Sequence, residues 1–339
     1  MKALVMESYK SLTYKEVDKP QISKPTDVLV KVRAVAICGS DVHGYDGSTG
    51  RRIPPVIMGH EASGDIVAIG PDVEKFKVGD RVTFDSTIYC GKCDYCVSGR
   101  VNLCVNRRVL GVSCDEYKQD GAFAEFVVVP QHIIYKLPDE ISYIEGSLTE
   151  PASVAAHAFN ITPVKLNDSI AVVGAGLIGL LLIQILRVST SGTIVAFDLS
   201  ENRRKMALQM GADYAFDPTT FSLKESPFKP FDRVFEAVGA TNPIKTATSI
   251  VASGGSITLI GNVSPTIELS LQQIVTREIT LYGSCAINGE YKRVLDLMGK
   301  KKIDVMSLVS EVAPLSEGES WFNRLYNKEE GLLKVVLEP

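Results

Sequence analysis

The feature that most constrains the fold of this chain is a 17-residue apolar run, IAVVGAGLIGLLLIQIL, at positions 170–186. Three glycines and a glutamine argue against a membrane-spanning helix, and the run sits among segments typical of buried strands. We interpret it as a buried strand, a tight turn and an apolar helix. A second strand, GTIVAFDLS at 192–200, follows and completes a βαβ unit, which predicts a parallel sheet.

The turn of this unit carries the pattern G-x-G-x-x-G, formed by Gly174, Gly176 and Gly179. The first glycine permits the tight turn, the second lets a pyrophosphate approach the backbone, and the third lets the helix pack closely on the sheet. The helix then begins near Leu177 and Ile178, where free backbone N–H groups can bind phosphates. With its flanking strands, the pattern predicts a dinucleotide site.

An acidic residue, Asp198, ends the second strand 19 residues beyond Gly179. Its carboxylate can bind both ribose hydroxyls of NAD, and it repels the additional phosphate of NADP. No arginine follows directly to bind that phosphate. Arg203 and Arg204 come a helical turn later, and Arg203 is a candidate cofactor contact. The sequence therefore favours NAD over NADP.

The alternation of helices and buried strands continues to about residue 284, which predicts an α/β fold with a doubly wound parallel sheet. The later strands are FDRVFEAVG (231–239), GGSITLIGNV (254–263) and REITLYGS (277–284). Ligands of such sheets bind beyond the carboxyl ends of the strands. We therefore expect four residues at two of these strand ends to lie beside the nicotinamide: Val238, Gly239, Ile260 and Gly261.

Length and composition restrict the class of protein. The chain has 339 residues, which suggests about two domains, and its apolar fraction of 45% is ordinary for globular proteins. The net charge is −4 without any basic block, so a nucleic-acid partner is not expected. The N-terminal segment MKALVMESYK does not resemble a signal peptide, and no segment predicts a membrane span. We expect a cytoplasmic protein whose thiols stay reduced.

Four of the seven cysteines fall within fifteen positions, in the pattern C-x2-C-x2-C-x7-C. They are Cys90, Cys93, Cys96 and Cys104. In a reducing compartment this spacing favours a metal over disulfides, and four unrelated buried cysteines are the weaker alternative. Ferredoxin-type clusters typically have a shorter last spacing followed by proline. The pattern predicts a closed, tetrahedral structural zinc site.

Short alternating strands with glycine-rich turns fill the N-terminal half and predict a compact β-barrel. They include residues 27–38, 61–70, 78–86 and 122–130. Cys38, His60 and Glu61 lie at the ends of such strands, and all three residue types bind zinc. Three protein ligands would leave a position open for water or substrate, although a lone cysteine or histidine more often belongs to the core. Further along, TEPASVAAHAFN predicts a helix with Thr149 near the cap and Pro151 at its first position.

Together these motifs resemble those of the zinc-dependent medium-chain dehydrogenases, the alcohol and polyol dehydrogenase superfamily. The resemblance covers essentially the whole chain, and the motifs occur in the order and at about the spacing of that family. They are CGSDVH, GHEASGDIVAIG, the four-cysteine loop, TEPASVAAHA, and VGAGLIG with AFDLS. The glutamate of TEP resembles the polyol or sorbitol branch.

The resemblance implies a GroES-like β-barrel catalytic domain at residues 1–152, with a structural zinc lobe at about 88–106. It implies an NAD-binding Rossmann domain at residues 153–287 and a return of the chain to the catalytic domain at residues 288–339. It also implies two zinc ions per chain, one catalytic and one structural. Relatives commonly pair Rossmann edge strands, which implies a homodimer or homotetramer.

The resemblance further implies the roles of individual residues. Cys38 and His60 match ligands of the catalytic zinc, while Glu61 and Glu150 match acidic residues that coordinate it directly or through water. The substrate hydroxyl would bind zinc and lose its proton through Ser40, the nicotinamide ribose and His43 to solvent. Hydride would then pass to the nicotinamide.

The implied reaction is the reversible oxidation of a secondary hydroxyl of a polyol, sugar alcohol or related sugar derivative to the ketone. Many sorbitol dehydrogenases carry an aromatic–arginine pair after the last Rossmann strand, where this chain has Cys285, Ala286 and Ile287. That departure puts sorbitol itself in doubt. A threonine-type amino-alcohol dehydrogenase and a zinc- and NAD-binding sensor without catalysis are the alternatives.

Overall fold

A computed structural model describes all 339 residues, which form two compact units. The first unit comprises Met1–Glu150, Ile287–Lys301 and Val305–Pro339. The second comprises Pro151–Ala286 and Lys302–Asp304. The chain therefore divides after Glu150 and Ala286, whereas the sequence analysis places the divisions after residues 152 and 287.

The chain forms twenty strands, numbered in chain order. Those of the first unit before the second begins are β1 (Lys2–Ser8), β2 (Ser11–Glu16), β3 (Asp27–Ala36), β4 (Val56–Ile57), β5 (Glu61–Ile69), β6 (Arg81–Phe84), β7 (Thr87–Ile88), β8 (Arg108–Val109), β9 (Val112–Cys114), β10 (Tyr117–Gln119), β11 (Phe126–Pro130) and β12 (Ile134–Lys136). The second unit contains β13 (Ile170–Val173), β14 (Ile194–Phe197), β15 (Tyr214–Phe216), β16 (Phe231–Glu236), β17 (Val251–Leu259) and β18 (Thr280–Gly283). The first unit ends with β19 (Glu311–Pro314) and β20 (Val335–Glu338).

Ten α-helices accompany these strands: α1 (Gly39–Gly44), α2 (Asp94–Val97), α3 (Tyr143–Ser147), α4 (Thr149–Ile161), α5 (Leu177–Ser189), α6 (Glu201–Gln209), α7 (Thr241–Ile250), α8 (Leu271–Thr276), α9 (Tyr291–Gly299) and α10 (Gly318–Tyr326). Short 3-10 helices cover Val101–Leu103, Gln131–Ile133, Leu223–Glu225, Met306–Leu308 and Leu315–Glu317. No helix is long and apolar enough to cross a membrane. The apolar run at 170–186 is divided between β13, a turn and α5, as its glycines predict.

A seven-stranded sheet dominates the first unit, with the order β12-β6-β5-β3-β20-β19 and with β11 also paired to β3. All its pairs are antiparallel except β19 with β20. Eight of the ten residues of β3 are buried, so this central strand is covered on both faces and its sequence is a nearly continuous apolar run. A second sheet, β2-β1-β4, packs its buried Leu4 and Met6 into the same core as Phe84 and Phe123.

The last strand of this unit lies far along the chain from its partner. β20 pairs with β3 through Val336 and Ala36, and with Leu337 opposite Val35. Val335 and Leu337 belong to the hydrophobic core that the N-terminal strands form. Residues from both parts of the sequence therefore complete one core.

The second unit contains a six-stranded parallel sheet with the order β15-β14-β13-β16-β17-β18. The chain runs outward from β13 to β15, then crosses to the other side and continues from β16 to β18. This order confirms the prediction of a doubly wound sheet. The order reverses between β13 and β16, which is the position where such sheets bind their ligands.

The start of α4 differs from the sequence-based prediction. The helix begins at Thr149, so Pro151 is its third residue and not its first. The first four N–H groups of a helix have no partner within it, and proline is therefore tolerated anywhere in that turn. The capping residues of two other helices follow the expected chemistry, because Ser142 and Glu145 form a capping box at α3 and Ser200 caps α6.

Candidate metal centres and cofactor site

The four-cysteine segment forms a small lobe of the first unit around α2 and the 3-10 helix that follows. Cys90 and Cys93 precede α2, Cys96 lies on it, and Cys104 follows the 3-10 helix. Gly99 makes the turn between the two helices with a φ of 78°, a conformation that favours glycine. The four Sγ atoms lie within 4.8 Å of one another.

The geometry and charge of this lobe fit zinc. The Cys96 sulfur lies 3.5 Å from that of Cys93 and 4.0 Å from that of Cys90. Sulfurs around a tetrahedral zinc, with Zn–S bonds of about 2.3 Å, lie about 3.8 Å apart. Hydrogen bonds from backbone amides lower the pKa of Cys90 to about 6 and also lower the pKa of Cys93, which favours the thiolate form that binds metals. Burial and the neighbouring cysteines raise the pKa of Cys96, so the charge favours a metal at two of the four sulfurs.

A second cluster forms where β3 ends and β5 begins. Because the two strands are antiparallel and Ala36 pairs with Glu61, the residues just after β3 meet the residues at the start of β5. Cys38 and His60 are thereby brought to Glu61, and one ligand atom from each of the three lies within 4.8 Å of the others. His60 and Glu61 are buried, whereas Cys38 is partly exposed.

A buried aspartate lies beside the histidine of this cluster. Asp41 lies on α1 and is fully buried, and its Oδ1 accepts hydrogen bonds from the Arg52 guanidinium at 2.8 and 3.2 Å. Its other oxygen, Oδ2, lies 3.6 Å from Nδ1 of His60, and neither of these atoms has a hydrogen-bond partner. A proton on Nδ1 that faces Asp41 leaves Nε2 free to bind a metal, the usual arrangement of a metal-bound histidine.

A buried lysine contacts both chain segments that carry the cluster. Lys334 precedes β20, and its Nζ donates to the Glu61 Oε2 at 2.6 Å and to the Ile37 carbonyl at 2.7 Å. Its side chain is only 2% exposed. Burial opposes its charge, but Glu61 and Cys38 outweigh that effect and raise the pKa of Lys334 above its ordinary value.

Glu150, the residue before the division between the units, lies close enough to this cluster for charges to interact. Burial raises the pKa of Glu150 to about 7; Glu61 adds to the shift, while His60 and a hydrogen bond with Ser86 oppose it. Burial and the charge of Glu61 likewise raise the pKa of Cys38 well above its usual range. Several buried acidic groups therefore lie close together, with Lys334 as a buried cation beside them. Such a set of ligand atoms suits a divalent zinc ion.

The two candidate proton-relay residues lie on α1 with exposed side chains. The Ser40 hydroxyl lies 3.3 Å from the Cys38 sulfur and its backbone N–H lies 3.5 Å from the same atom. His43 is the basic residue of the last turn of α1, and its carbonyl accepts a hydrogen bond from Ser48. Ser40 therefore adjoins the candidate metal ligand, and His43 faces solvent one turn later.

The glycine turn of the second unit has the space that a pyrophosphate needs. Gly174 has a φ of +96°, and a Cβ on Gly179 would lie 1.9 Å from the Gly174 carbonyl oxygen, so neither position accepts a side chain. A Cβ on Gly176 would have no atom within 4 Å. Leu177 begins α5, whose N-cap Gly176 has no side chain to occupy the first N–H groups, and Ile178 follows. The turn fits a bound phosphate.

Asp198 directly follows β14 and lies beside this turn. Its Oδ2 accepts a hydrogen bond from Ala175 N–H at 2.8 Å, and its Oδ1 accepts one from Ser200 N–H at 2.9 Å. The Arg203 guanidinium lies 4.0 Å from Oδ2. Arg204 is directed elsewhere, because it donates to the carbonyls of residues 198 and 199.

The turns after β16 and β17 touch each other through two glycines. A Cβ on Gly239 would lie 2.2 Å from Gly261 backbone atoms, and a Cβ on Gly261 would lie 2.1 Å from Gly239 N. Val238 joins these turns to β13, since its Cγ2 would lie 2.5 Å from a Cβ on Gly174. The Ile260 N–H donates to the carbonyl of Glu236, the last residue of β16. The four predicted nicotinamide neighbours therefore lie together at the switch point.

Three polar side chains of the first unit lie in its interior. Tyr45 is fully buried and packs against Phe322 and Tyr326. Glu290 and Tyr291 are buried, and the Tyr291 hydroxyl donates to the Phe84 carbonyl. The apolar periodicity of α9 is the sequence signal of this burial, because it places Tyr291, Val294 and Leu295 on one face.

Two family models match the chain. The alcohol dehydrogenase GroES-like domain matches residues 24–139, and the zinc-binding dehydrogenase model matches residues 178–300. A sorbitol dehydrogenase of Bacillus subtilis (strain 168) is 32% identical over 348 residues, covering 100% of this chain and 97% of the relative. The chain belongs to the zinc-binding alcohol dehydrogenase family. The resemblance to medium-chain dehydrogenases and the GroES-like character of the first unit are thereby confirmed.

Solved structures of this dehydrogenase family share the fold over the whole chain. A chain from Sinorhizobium meliloti 1021, bound to NADP, has a TM-score of 0.90 at 30% identity and covers 100% of this chain and 99% of its own. An alcohol dehydrogenase from Escherichia coli CFT073, complexed with NADH, has a TM-score of 0.91 at 29% identity with the same coverage. This zinc-binding dehydrogenase is therefore an oxidoreductase, and nicotinamide nucleotides are bound in both of these related structures.

The structure also identifies polar residues that the sequence analysis missed. Lys334 stands out in GLLKVVLEP as a charge within an apolar strand segment, which is a signal for a buried ion pair. Asp41 lies within the CGSDVH motif, but its partner Arg52 could not be inferred from spacing. The strand β16 contains two acidic residues, Asp232 near its start and Glu236 at its end. Only the structure shows that the carboxylate of Glu236 is fully buried.

Proposed function

We propose that this dehydrogenase uses NAD and a catalytic zinc to oxidise a secondary hydroxyl of a polyol, sugar alcohol or related sugar derivative, reversibly, to the ketone. The observation that carries the proposal is the cluster of Cys38, His60 and Glu61, with Glu150 nearby, in a member of this family. When bound, zinc supplies a Lewis acid that lowers the pKa of an alcohol, and NAD accepts the hydride.

The residues of the chain have separate tasks in this proposal. Cys38 and His60 hold the metal, with Glu61 or Glu150 completing the ligand set. Asp41 holds the imidazole of His60 in the ligating tautomer from 3.6 Å. The Ser40 hydroxyl beside Cys38 receives the substrate proton.

His43, exposed on the last turn of α1, would release that proton to solvent, and the nicotinamide ribose would lie between Ser40 and His43 when NAD is bound. The two histidine roles differ because their surroundings differ: His60 is buried against a carboxylate, and His43 is not. The four cysteines of the lobe hold a second, structural zinc, so we propose two zinc ions per chain.

NAD is the proposed acceptor because Asp198 offers a carboxylate where the adenosine ribose lies in such sheets. Its oxygens accept two backbone N–H bonds, which hold the carboxylate beside the glycine turn, where it would meet a 2′-phosphate. Arg203, 4.0 Å away, is the group that could favour NADP instead. Titration with the two cofactors separates the alternatives, and tighter binding of NADP would contradict the choice.

A polyol-type substrate is proposed from the glutamate at position 150 and from the sorbitol dehydrogenase relative. The chain lacks the aromatic–arginine pair at 285–287, so we propose a related polyol, sugar acid or sugar phosphate and not sorbitol itself. We also propose that the protein works in the cytoplasm and forms a homodimer or homotetramer.

The first experiment follows the absorbance of the reduced nicotinamide after NAD is added with polyols, sugar phosphates, sugar acids or threonine. Each reaction is run with and without a zinc chelator. A chelator-sensitive signal with a polyol-type substrate supports the proposal, and a signal with threonine alone supports an amino-alcohol dehydrogenase. Binding of zinc and NAD without any turnover supports a sensor.

Replacement of Cys38 by serine tests the catalytic metal. Serine is a poor zinc ligand compared with a thiolate, so we expect metal analysis to fall from two zinc ions per chain to one and turnover to fall at least about a hundredfold. Cys114→Ser is the matched control, because Cys114 lies on β9 outside both clusters. Turnover that survives in a Cys38→Ser protein with one zinc would refute the metal mechanism.

A further inference from the structure

Glu236 is a fully buried carboxylate at the carboxyl end of β16, where the order of the parallel sheet reverses. It pairs in register with Val173, the last residue of β13, and the next residue, Ala237, donates its N–H to the Val173 carbonyl at 2.9 Å. Gly174, the first glycine of the pyrophosphate turn, follows Val173 directly. Glu236 therefore lies at the crevice in which a dinucleotide binds.

The carboxylate holds the turn that follows its own strand. Oε1 accepts hydrogen bonds from Val238 N–H at 2.8 Å and Gly239 N–H at 2.9 Å, and Oε2 accepts from Gly239 N–H at 3.0 Å. The main-chain carbonyl of Glu236 accepts from Ile260 and Gly261 at 2.8 and 3.1 Å. One residue thus organises both turns that the sequence predicts beside the nicotinamide.

The charge of this group is uncompensated. No lysine, arginine or histidine lies within 4 Å of its oxygens, and all its side-chain hydrogen bonds are accepted from backbone N–H groups. Burial raises the pKa of Glu236, while the bonds from Gly239 and Val238 oppose that shift. The Val238 and Gly239 N–H groups both donate to the carboxyl oxygens, and such bonds favour the charged form.

Burying a charge without a partner lowers the stability of the folded protein unless an opposite charge lies nearby. The nicotinamide ring carries a positive charge in NAD+ and none in NADH, so a fixed negative charge at this crevice interacts differently with the two redox states. We propose that Glu236 is a positioning residue whose uncompensated charge favours binding of the oxidised cofactor over the reduced one. The proposal rests on the proposed function, because it requires the nicotinamide to lie at these turns.

The test compares the dissociation constants of NAD+ and NADH for the zinc-loaded, full-length protein by titration calorimetry, without substrate. Glu236→Gln keeps the shape and removes the charge. Its ratio of Kd(NAD+) to Kd(NADH) is expected to rise about three- to tenfold, the size of one charge acting across several ångströms at an effective dielectric constant of about 20 to 40. A purely structural role of Glu236 would weaken both cofactors equally.

Two further variants separate charge from structure. Glu236→Asp keeps the charge but shortens the reach to Val238 and Gly239, so both constants rise while their ratio stays within about twofold of the wild type. Asp232→Asn is the matched control at the opposite end of β16, where the carboxylate accepts from Ser169 N–H at 2.9 Å. Its ratio is expected to remain that of the wild type.

A Glu236→Gln protein that binds both cofactors with an unchanged ratio overturns the proposal. If that variant does not fold, the aspartate variant decides, since a ratio that moves more than threefold there shows that charge is not the determinant. Wild-type protein that binds neither cofactor overturns the proposed function itself, and with it this proposal. The two failures are therefore distinguishable.

Discussion

The buried pair of Lys334 and Glu61 shows how a single residue links distant parts of the chain. The two residues lie 273 positions apart, and their side chains are 2% and 1% exposed. Removing one partner of a buried ion pair strongly lowers the stability of the folded protein, because the other charge remains buried without a partner. The lysine therefore stabilises the cluster of acidic ligands in the absence of a metal.

This arrangement predicts the effect of Lys334→Met. In metal-depleted protein the variant leaves Glu61 buried and unpaired, and we expect the free energy of unfolding to fall by about 3–5 kcal/mol. Zinc partly replaces the missing positive charge, so the loss is expected to be smaller in zinc-loaded protein. Urea denaturation with and without zinc measures both values.

The matched control is Lys300→Met, which removes an exposed i,i+4 partner of Asp296 on α9. Such surface pairs contribute about 0.3–0.5 kcal/mol, and zinc is not expected to change that value. Equal losses for the two variants would contradict a special role of Lys334.

At the scale of single residues, the sequence identified those that belong to local motifs. Cys38, His60, Glu61 and Asp198 could be named because each stands in a short pattern with a chemical meaning. Glu236 could not, because its role depends on tertiary contacts that no local spacing encodes. Lys334 is marked by its charge within an apolar segment, but only the structure shows that Glu61 is its partner.

At the scale of elements, the strand–turn–helix of β13 and α5 is the best-determined part of the fold. Its glycines are required for two different physical reasons. Gly179 permits close packing, while Gly176 faces open space that only a ligand would fill. These reasons lead to opposite expectations when a methyl group is added.

Gly176→Ala is expected to leave the thermal midpoint unchanged, because its φ of −71° suits alanine and no atom lies within 4 Å of the new Cβ. The methyl group would occupy the space of the pyrophosphate, and we expect the Kd for NAD to rise about tenfold or more. Calorimetric titration and a melting curve give both quantities.

Gly179→Ala, in contrast, is expected to lower the thermal midpoint, because its Cβ would meet the Gly174 carbonyl oxygen at 1.9 Å. Gly299→Ala at the end of α9 has open space and no candidate ligand, and serves as the control for both. Unchanged NAD binding by Gly176→Ala would contradict the placement of the pyrophosphate.

Elements were predictable where periodicity and turn residues agree. The strands around Asp27–Ala36 and Ile170–Val173 are apolar runs bounded by turn signals, and both occur in the structure. The start of α4 was misjudged by two residues because proline is acceptable throughout the first turn of a helix. The apolar periodicity of α9 predicts a buried face, but only the structure shows which residues cover that face.

At the scale of the whole molecule, a buried carboxyl links stability to pH. Asp85 follows β6, is 3% exposed and accepts a hydrogen bond from Thr87 N–H at 2.8 Å. Burial raises its pKa to about 7, with a contribution from Glu290, and the bond from Thr87 opposes the shift. The folded protein therefore holds a proton that the unfolded chain releases at lower pH.

The consequence is a stability that decreases between about pH 4 and pH 7 as the unfolded chain loses this proton first. In Asp85→Asn that dependence is absent. The free energy of unfolding of the variant relative to the wild type is expected to increase by about 2 kcal/mol between pH 5.5 and pH 8. Urea denaturation at the two pH values measures it.

Asp139→Asn changes the same chemistry on a fully exposed side chain of the same unit and is expected to follow the wild type at both pH values. A constant difference between Asp85→Asn and the wild type across this range would show that Asp85 is ionised in the folded protein throughout.

The discontinuous first unit has a consequence for synthesis on the ribosome. β3 pairs with β20, and the cluster at Cys38 receives its buried cation from Lys334, so the sheet of this unit is incomplete beside β3 until residues 334–338 have left the exit tunnel. The parallel sheet of the second unit is complete once β18 has emerged. We therefore expect the second unit to fold first during translation. The first unit, whose metal ligands are synthesised earlier, is expected to fold only after β20 has emerged.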